Sequence, residues 1–222
     1  MSGMIENPTK VESKKVSEAI ANDGPILNGR CTALDMVTVE KLPKNNKLGK
    51  QWVVKDKNGA EIYHIAKTAG GPKDLLFGSF EKDVLAFSQP MFTIKRKVSY
   101  VKDAPCIIVS PNGDTMGYVE RDWYKASLDV AFGYSFRIKN ANKKTILLIK
   151  RPAYFKIPGL TDIVQKIYTK KGEKVGQIVK KCGNLKSLLP KSLPKYEVEF
   201  FSDLDNNAKY LILASIHLIN KF

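Results

Sequence analysis

Tyr210-Leu211-Ile212-Leu213-Ala214-Ser215-Ile216-His217-Leu218-Ile219 is the stretch that decides the fold. Eight of its ten positions are apolar or aromatic. At 100° per residue, Tyr210, Leu211, Ile212 and Leu213 already point in four directions. A helix greasy on every side must be enclosed by protein or by lipid. Ten to fifteen residues rise only ~15 to 22 Å, short of the ~30 Å hydrocarbon core of a bilayer. The spacing therefore predicts a C-terminal helix buried inside its own protein.

Working back from that helix, the chain reads as short strands with period-two alternation or brief apolar runs. Candidates are 32–40, 51–55, 60–67, 84–87, 106–110, 115–121, 135–139, 145–150, 162–168, 174–180 and 196–201. Lys57-Asn58-Gly59, Pro111-Asn112-Gly113 and Lys170-Lys171-Gly172 supply turn chemistry between them. Asn-Gly between two strand-like runs signals a hairpin, because both central residues tolerate positive φ. The three turns recur 54 and 59 residues apart. Charged segments fall between them, Glu81-Lys82-Asp83 and Ala141-Asn142-Lys143-Lys144, and read as further turns. Three four-stranded units follow, about twelve antiparallel strands in all. A sheet that large curls or closes, and closure removes its exposed edges. The expected fold is mainly β: a closed twelve-stranded antiparallel barrel filled by the C-terminal helix.

Composition limits the function. The 222 residues carry 37 Lys plus Arg against 22 Asp plus Glu, a formal charge of +15. Such a field attracts polyanions, either an anionic membrane face or nucleic acid. Cys31, Cys106 and Cys182 are widely spaced and odd in number, which fits reduced thiols rather than a disulfide framework. Residues 1–25 read as a flexible polar arm without a secretory signal, and 26–222 as the barrel domain. No catalytic set stands out. His64 and His217 have no Cys or acidic neighbours at ligand spacing, and Ala69-Gly70-Gly71-Pro72-Lys73 lacks the spacing of a phosphate-binding loop. The expectation is a protein without chemical catalysis.

Several motifs, in preserved order, carry a family resemblance. Gly117-Tyr118-Val119-Glu120-Arg121-Asp122-Trp123 resembles the Gly-Tyr-Val-x-x-x-Trp signature of phospholipid scramblases. Phe136-Arg137-Ile138-Lys139-Asn140, with Ile146-Leu147-Leu148-Ile149 and Pro152, is similar to the strand pair that follows it there. Val175-Gly176-Gln177-Ile178 resembles the family's Val-Gly-Lys-Ile. Phe200-Phe201-Ser202-Asp203-Leu204-Asp205, running into Leu218-Ile219-Asn220, resembles its Phe-Pro-x-Asp-Leu-Asp and closing Leu-Ile-Asp. The resemblance covers roughly residues 50 to 222. It implies a tubby-like barrel around a buried C-terminal helix. The implied activity is calcium-stimulated, energy-independent movement of phospholipids between leaflets, at the cytosolic face of a membrane and foremost the plasma membrane. Some members also act in the nucleus.

The chain departs from the family pattern at its proposed calcium site. Ser192-Leu193-Pro194-Lys195 stands where the family has acidic residues, leaving Asp203 and Asp205 as a weak calcium site. Calcium takes six to eight oxygens. Asp205, before Asn206-Asn207, equally fits a helix cap. Of the family's cysteine-rich palmitoylation cluster only Pro105-Cys106 remains. Cys106 is a candidate for lipidation, or a buried strand residue, and one acyl chain alone gives marginal binding. The basic candidates for lipid or anion binding are Lys95, Arg96, Lys97, Lys143, Lys144, Lys180 and Lys181. Lys150, Lys170, Lys171 and Lys174 also lie at strand ends or turns. Gathered on one side, such residues seat a barrel on anionic phospholipid; they also suit nucleic-acid phosphates. The sequence thus supports a scramblase-like membrane-associated protein, with a basic adaptor or regulator binding anionic lipid or nucleic acid as the alternative.

Overall fold

The computed structural model describes residues 34–43, 50–69, 80–86, 88–96, 104–122, 135–150, 161–182, 193–201 and 204–219. In chain order they form β1 (Met36–Lys41), β2 (Lys50–Asp56), β3 (Glu61–Ala69), β4 (Phe80–Ala86), β5 (Gln89–Arg96) and β6 (Cys106–Val109). Then come β7 (Thr115–Arg121), β8 (Ser135–Asn140), β9 (Thr145–Lys150), β10 (Ile163–Thr169), β11 (Lys174–Lys181), β12 (Lys195–Phe200) and α1 (Asn206–Ile219). Each strand pairs antiparallel with its sequence neighbours. Val37 of β1 faces both Asp56 on β2 and Val198 on β12, so the sheet closes. The expected twelve-stranded barrel with its C-terminal helix is what forms.

Ala208 through Ile219 of α1 are all buried. Their partners come from around the wall. Tyr210 meets Tyr63 on β3 at 6.2 Å and Phe92 on β5 at 5.2 Å, and His217 meets Trp52 on β2 edge-on at 5.1 Å. Lys209 Nζ lies 5.5 Å over the Phe200 ring of β12, and Asn207 Nδ2 donates to the Met116 carbonyl of β7 at 3.4 Å. A helix touched from so many directions is inside the barrel. It sits closest to β7. A Cβ at Gly117 would lie 2.4 Å from the Lys139 carbonyl oxygen and 2.9 Å from both Leu211 δ-carbons. Only hydrogen fits there, which gives the Gly of the Gly-Tyr-Val motif a packing reason.

Four hairpins, β2–β3, β6–β7, β8–β9 and β10–β11, share one turn. Asp56, Ser110, Asn140 and Thr169 open them. Three residues later the N–H of Gly59, Gly113, Lys143 or Gly172 donates back to the opener's carbonyl. The next N–H reaches the opener's side chain, as from Ala60 to Asp56 Oδ1 at 2.9 Å and from Lys144 to Asn140 Oδ1 at 3.0 Å. Gly59, Gly113 and Gly172 have φ of 83°, 92° and 94°, and Lys143 takes the same place at 59°. Each strand pair slips register nearby, at Val54/Lys55, Ile108/Val109, Ile138/Lys139 and Ile167/Tyr168. This is a three-residue loop with a bulge, so only the Gly position needs positive φ and the expected role of Asn58 and Asn112 is corrected.

A second correction concerns β4 and β5. Glu81-Lys82-Asp83 is not a turn but part of β4, and the chain reverses at Ser88, with φ of 71°. The unrecognised strand is β5, which Pro90 disguised. It is tolerated as the second residue of the strand. The charges of β4 are explained by alternation. Glu81 and Asp83 face out, while Lys82 faces in and puts Nζ 3.3 Å from His217 Nδ1. The described tight turns lie at the end of the barrel where α1 starts.

Candidate anion-docking face

Consecutive residues of a strand point to opposite faces, and this alternation divides the basic runs read from the sequence. Lys95 faces out and is held by Glu81 Oε1 at 2.9 Å, whereas Arg96 turns into the core and is 7% exposed. Lys97 lies outside the described residues. Lys180 turns inward, its Nζ 6.0 Å over the Tyr196 ring, and burial pushes the Tyr196 phenol well above its ordinary pKa. Lys181 faces out between Glu197 at 2.9 Å and Asp162 at 3.3 Å, and these carboxylates raise its pKa. Lys95-Arg96 and Lys180-Lys181 therefore do not make the expected patch.

Other cations assemble instead. Lys166 on β10 is the direct register partner of Lys150 on β9, opposite the core positions Ile167 and Ile149. Both lysines are exposed. Around them lie Arg137 and Lys139 on β8, Lys143 and Lys144 in the β8–β9 turn, Lys170 and Lys171 in the β10–β11 turn, and Lys174 at the start of β11. The carboxylates nearby are Asp122, Glu120 and Glu173. Asp122 accepts a close hydrogen bond from Arg137, which raises the guanidinium pKa, and Glu120 pairs with Lys139. Glu173 accepts from Thr169 Oγ1 at 3.4 Å. Among the described residues these nine cations thus share the sector with three acids, two of them paired, while Asp162 before β10 is taken by Lys181.

Aromatic and aliphatic groups lie between the lysines. Lys150 Nζ sits 5.0 Å over Tyr168, Lys143 Nζ 6.0 Å over Tyr118 and Lys174 Nζ 4.5 Å over Phe201. Leu148, register partner of Tyr168 and Arg137, shares their outward face. The opposite wall is neutralised. There Glu40 takes Lys55 at 2.8 Å and Lys195 at 3.1 Å, and Glu81 takes Lys95 at 2.9 Å, while nearer the basic sector Glu199 of β12 accepts from Gln177 Nε2 of β11 at 2.8 Å. The barrel is electrically two-sided. Lys166 and Arg137 escaped the sequence reading because only strand register brings them beside Lys150.

The remaining candidates resolve one by one. Asp205 Oδ1 accepts the Ala208 N–H at 2.7 Å, and its backbone carbonyl accepts that of Lys209 at 3.1 Å, a helix N-cap. Asp203 lies outside the described residues. Among the described residues no three His, Cys, Asp or Glu side chains gather as a metal site. Cys106 is fully buried in the core. This corrects the lipidation reading: a thiol enclosed by the barrel offers no surface for acyl transfer in the folded chain. His64 Nε2 stands 3.6 Å from Glu61 Oε2, and His217 is part of the barrel filling.

A family model described as Scramblase matches residues 49–222. The chain belongs to the scramblase family. The match spans β2 through α1, so the basic sector and the buried helix both lie within the scramblase region. Among solved structures, one of a protein from Arabidopsis thaliana superposes with a TM-score of 0.51 at 13% identity, covering 89% of this chain and 99% of that one. At that identity the likeness is one of fold. No curated protein sequence matches this scramblase-family chain.

Proposed function

We propose that this scramblase-family protein docks on anionic phospholipid through the β8–β11 sector and takes part in energy-independent phospholipid movement between leaflets. The observation that carries the reading is the Lys150–Lys166 pair. Like charges directly opposite on adjacent strands destabilise a sheet, and a phosphate or carboxylate between them removes the repulsion. Each surrounding lysine adds about 1 kcal/mol near an anionic leaflet. The proposed location is the cytosolic face of a membrane, the plasma membrane first, with the nucleus as a second site.

The helix stays in the barrel in this reading. Fourteen residues rise ~21 Å, and no described helix is long and apolar enough to cross a bilayer. Releasing Tyr210, Leu211, Ile212, Leu213, Ile216, Leu218 and Ile219 into water costs about 10 to 20 kcal/mol at ~1.5 to 3 per side chain. That is comparable to or larger than the whole stability of an ordinary domain. Action from the membrane surface is therefore proposed, with no step routed through calcium.

Flotation of the full chain with phosphatidylserine-containing and pure phosphatidylcholine vesicles tests docking. Binding to the first and not the second is expected; equal binding refutes it. Dithionite quenching of leaflet-specific fluorescent lipids, with and without calcium, tests the lipid movement. A rate no faster than protein-free vesicles in both conditions removes that part. The cation-capped Tyr118 and Tyr168 also suit base stacking on single-stranded nucleic acid, so a gel shift in place of flotation would favour the adaptor reading.

A further inference from the structure

We infer that Phe201 is a membrane-inserting anchor at the corner where the basic sector meets the turn end of the barrel. The inference rests on the docking reading above and adds the depth and orientation of the contact. Phe201 and Leu193 are the large hydrophobic side chains exposed among the described residues, and Phe201 is the more open at 49%. A lone exposed apolar residue is unremarkable; what surrounds this one is not. Its backbone N–H donates to the Val175 carbonyl at 2.9 Å, so the ring stands on the rim of the barrel next to β11. Lys174 Nζ lies 4.5 Å over the ring, and Lys170 and Lys171 occupy the adjoining turn. The helix cap at Asp205 fixes the chain four residues later.

An aromatic ring whose backbone is tied to β11, beside three exposed lysines and the single carboxylate of Glu173, matches the chemistry of an anionic bilayer interface. There the ammonium groups stay among phosphates and carboxylates while the ring passes below them into the acyl boundary. Leu193 is set differently: Lys195, two residues on, is held by Glu40 at 3.1 Å. It precedes β12, at the end of the barrel opposite the tight turns. The barrel therefore meets the membrane tilted onto the edge that holds Lys170, Lys171, Lys174 and Phe201, with the start of α1 toward the lipid.

The test uses the full chain with Phe201→Ala, Phe201→Trp and Leu193→Trp, and vesicles of phosphatidylserine with phosphatidylcholine or of phosphatidylcholine alone. Phe201→Ala is expected to weaken partitioning to the anionic vesicles about five- to tenfold, and Phe201→Trp to retain it. The added emission of Phe201→Trp, taken against wild type with its Trp52 and Trp123, is expected to shift blue and be quenched by brominated acyl chains. That of Leu193→Trp is expected to stay unmoved. If wild type floats while Phe201→Ala binds equally well or the Phe201→Trp emission does not move, the anchor is refuted and docking stands. If wild type does not float, both fall. A blue shift that grows with protein concentration without vesicles assigns the corner to a second copy of the chain and overturns the proposal.

Discussion

Lys166→Glu should make the protein more stable and worse at its proposed task. Lys166 and Lys150 are direct register partners on β10 and β9, both exposed. Side chains at such positions start about 5 Å apart. Two ammonium groups there repel by ~0.8 kcal/mol in water, less once salt and side-chain freedom act. Lys150 already leans over Tyr168. Reversing one sign removes the repulsion and creates an exposed ion pair worth about 0.2 to 1 kcal/mol. Together these should add about 0.5 to 1.5 kcal/mol, or roughly 1 to 6 °C in midpoint for a chain this size. Docking moves the other way. A two-unit charge change at ~1 kcal/mol per charge lowers partitioning about thirtyfold at low ionic strength. Thermal unfolding by circular dichroism reads the first effect and flotation across a salt series the second. A variant that floats like wild type would show that the β8–β11 sector does not face the membrane. A variant that is less stable would show that the two lysines do not oppose one another.

Gly117→Ala should cost about 1 to 3 kcal/mol, because the new methyl meets the Lys139 carbonyl and Leu211 together; a neutral or higher urea midpoint would place α1 away from β7. Lys143→Gly should gain about 1 kcal/mol by relieving a left-handed lysine while weakening flotation, and a loss of stability would contradict the shared turn geometry. Glu40 is held below its ordinary value of 4.5 by the hydrogen bond from Lys55, against the opposing effect of burial and with further help from Lys195. Its contribution is present above pH 4.5 and is lost as pH falls through the lowered folded value. Glu40→Gln should therefore cost a few tenths of a kcal/mol at pH 7 and nothing once wild-type Glu40 is protonated. Equal losses at both pH values would remove the Lys55–Glu40–Lys195 cluster from the account.

The architecture was legible because its two strongest signals are local. All-round apolarity from Tyr210 to Ile219 needs no knowledge of the rest of the chain, and turn glycines announce themselves. The missing strand shows the limit of that reading. Lys82 looks like a turn residue until its partner His217, 135 positions away, is in place. The docking face was harder still. Lys95 and Arg96 are neighbours in sequence and opposites in space, while Lys150 and Lys166 are distant in sequence and face to face. In a barrel the pleat scatters runs of charge and the register gathers dispersed ones. The helix cap at Asp205 was readable from its neighbours; which lysines are neutralised by carboxylates was not.

Closure of the sheet through β1 and β12 has a consequence for how the chain is made. Val37 finds Val198 only after about 160 further residues have been synthesised, some 8 to 30 s at ~5 to 20 residues per second. Until then β1 presents an open edge and the wall residues have no plug to cover, the condition in which nascent chains are most prone to stick to one another. The segment from β12 through α1 both locks the seam and fills the centre. Nascent chains stalled before Asn206 should engage holdase chaperones, and extending them past Ile219 should release them.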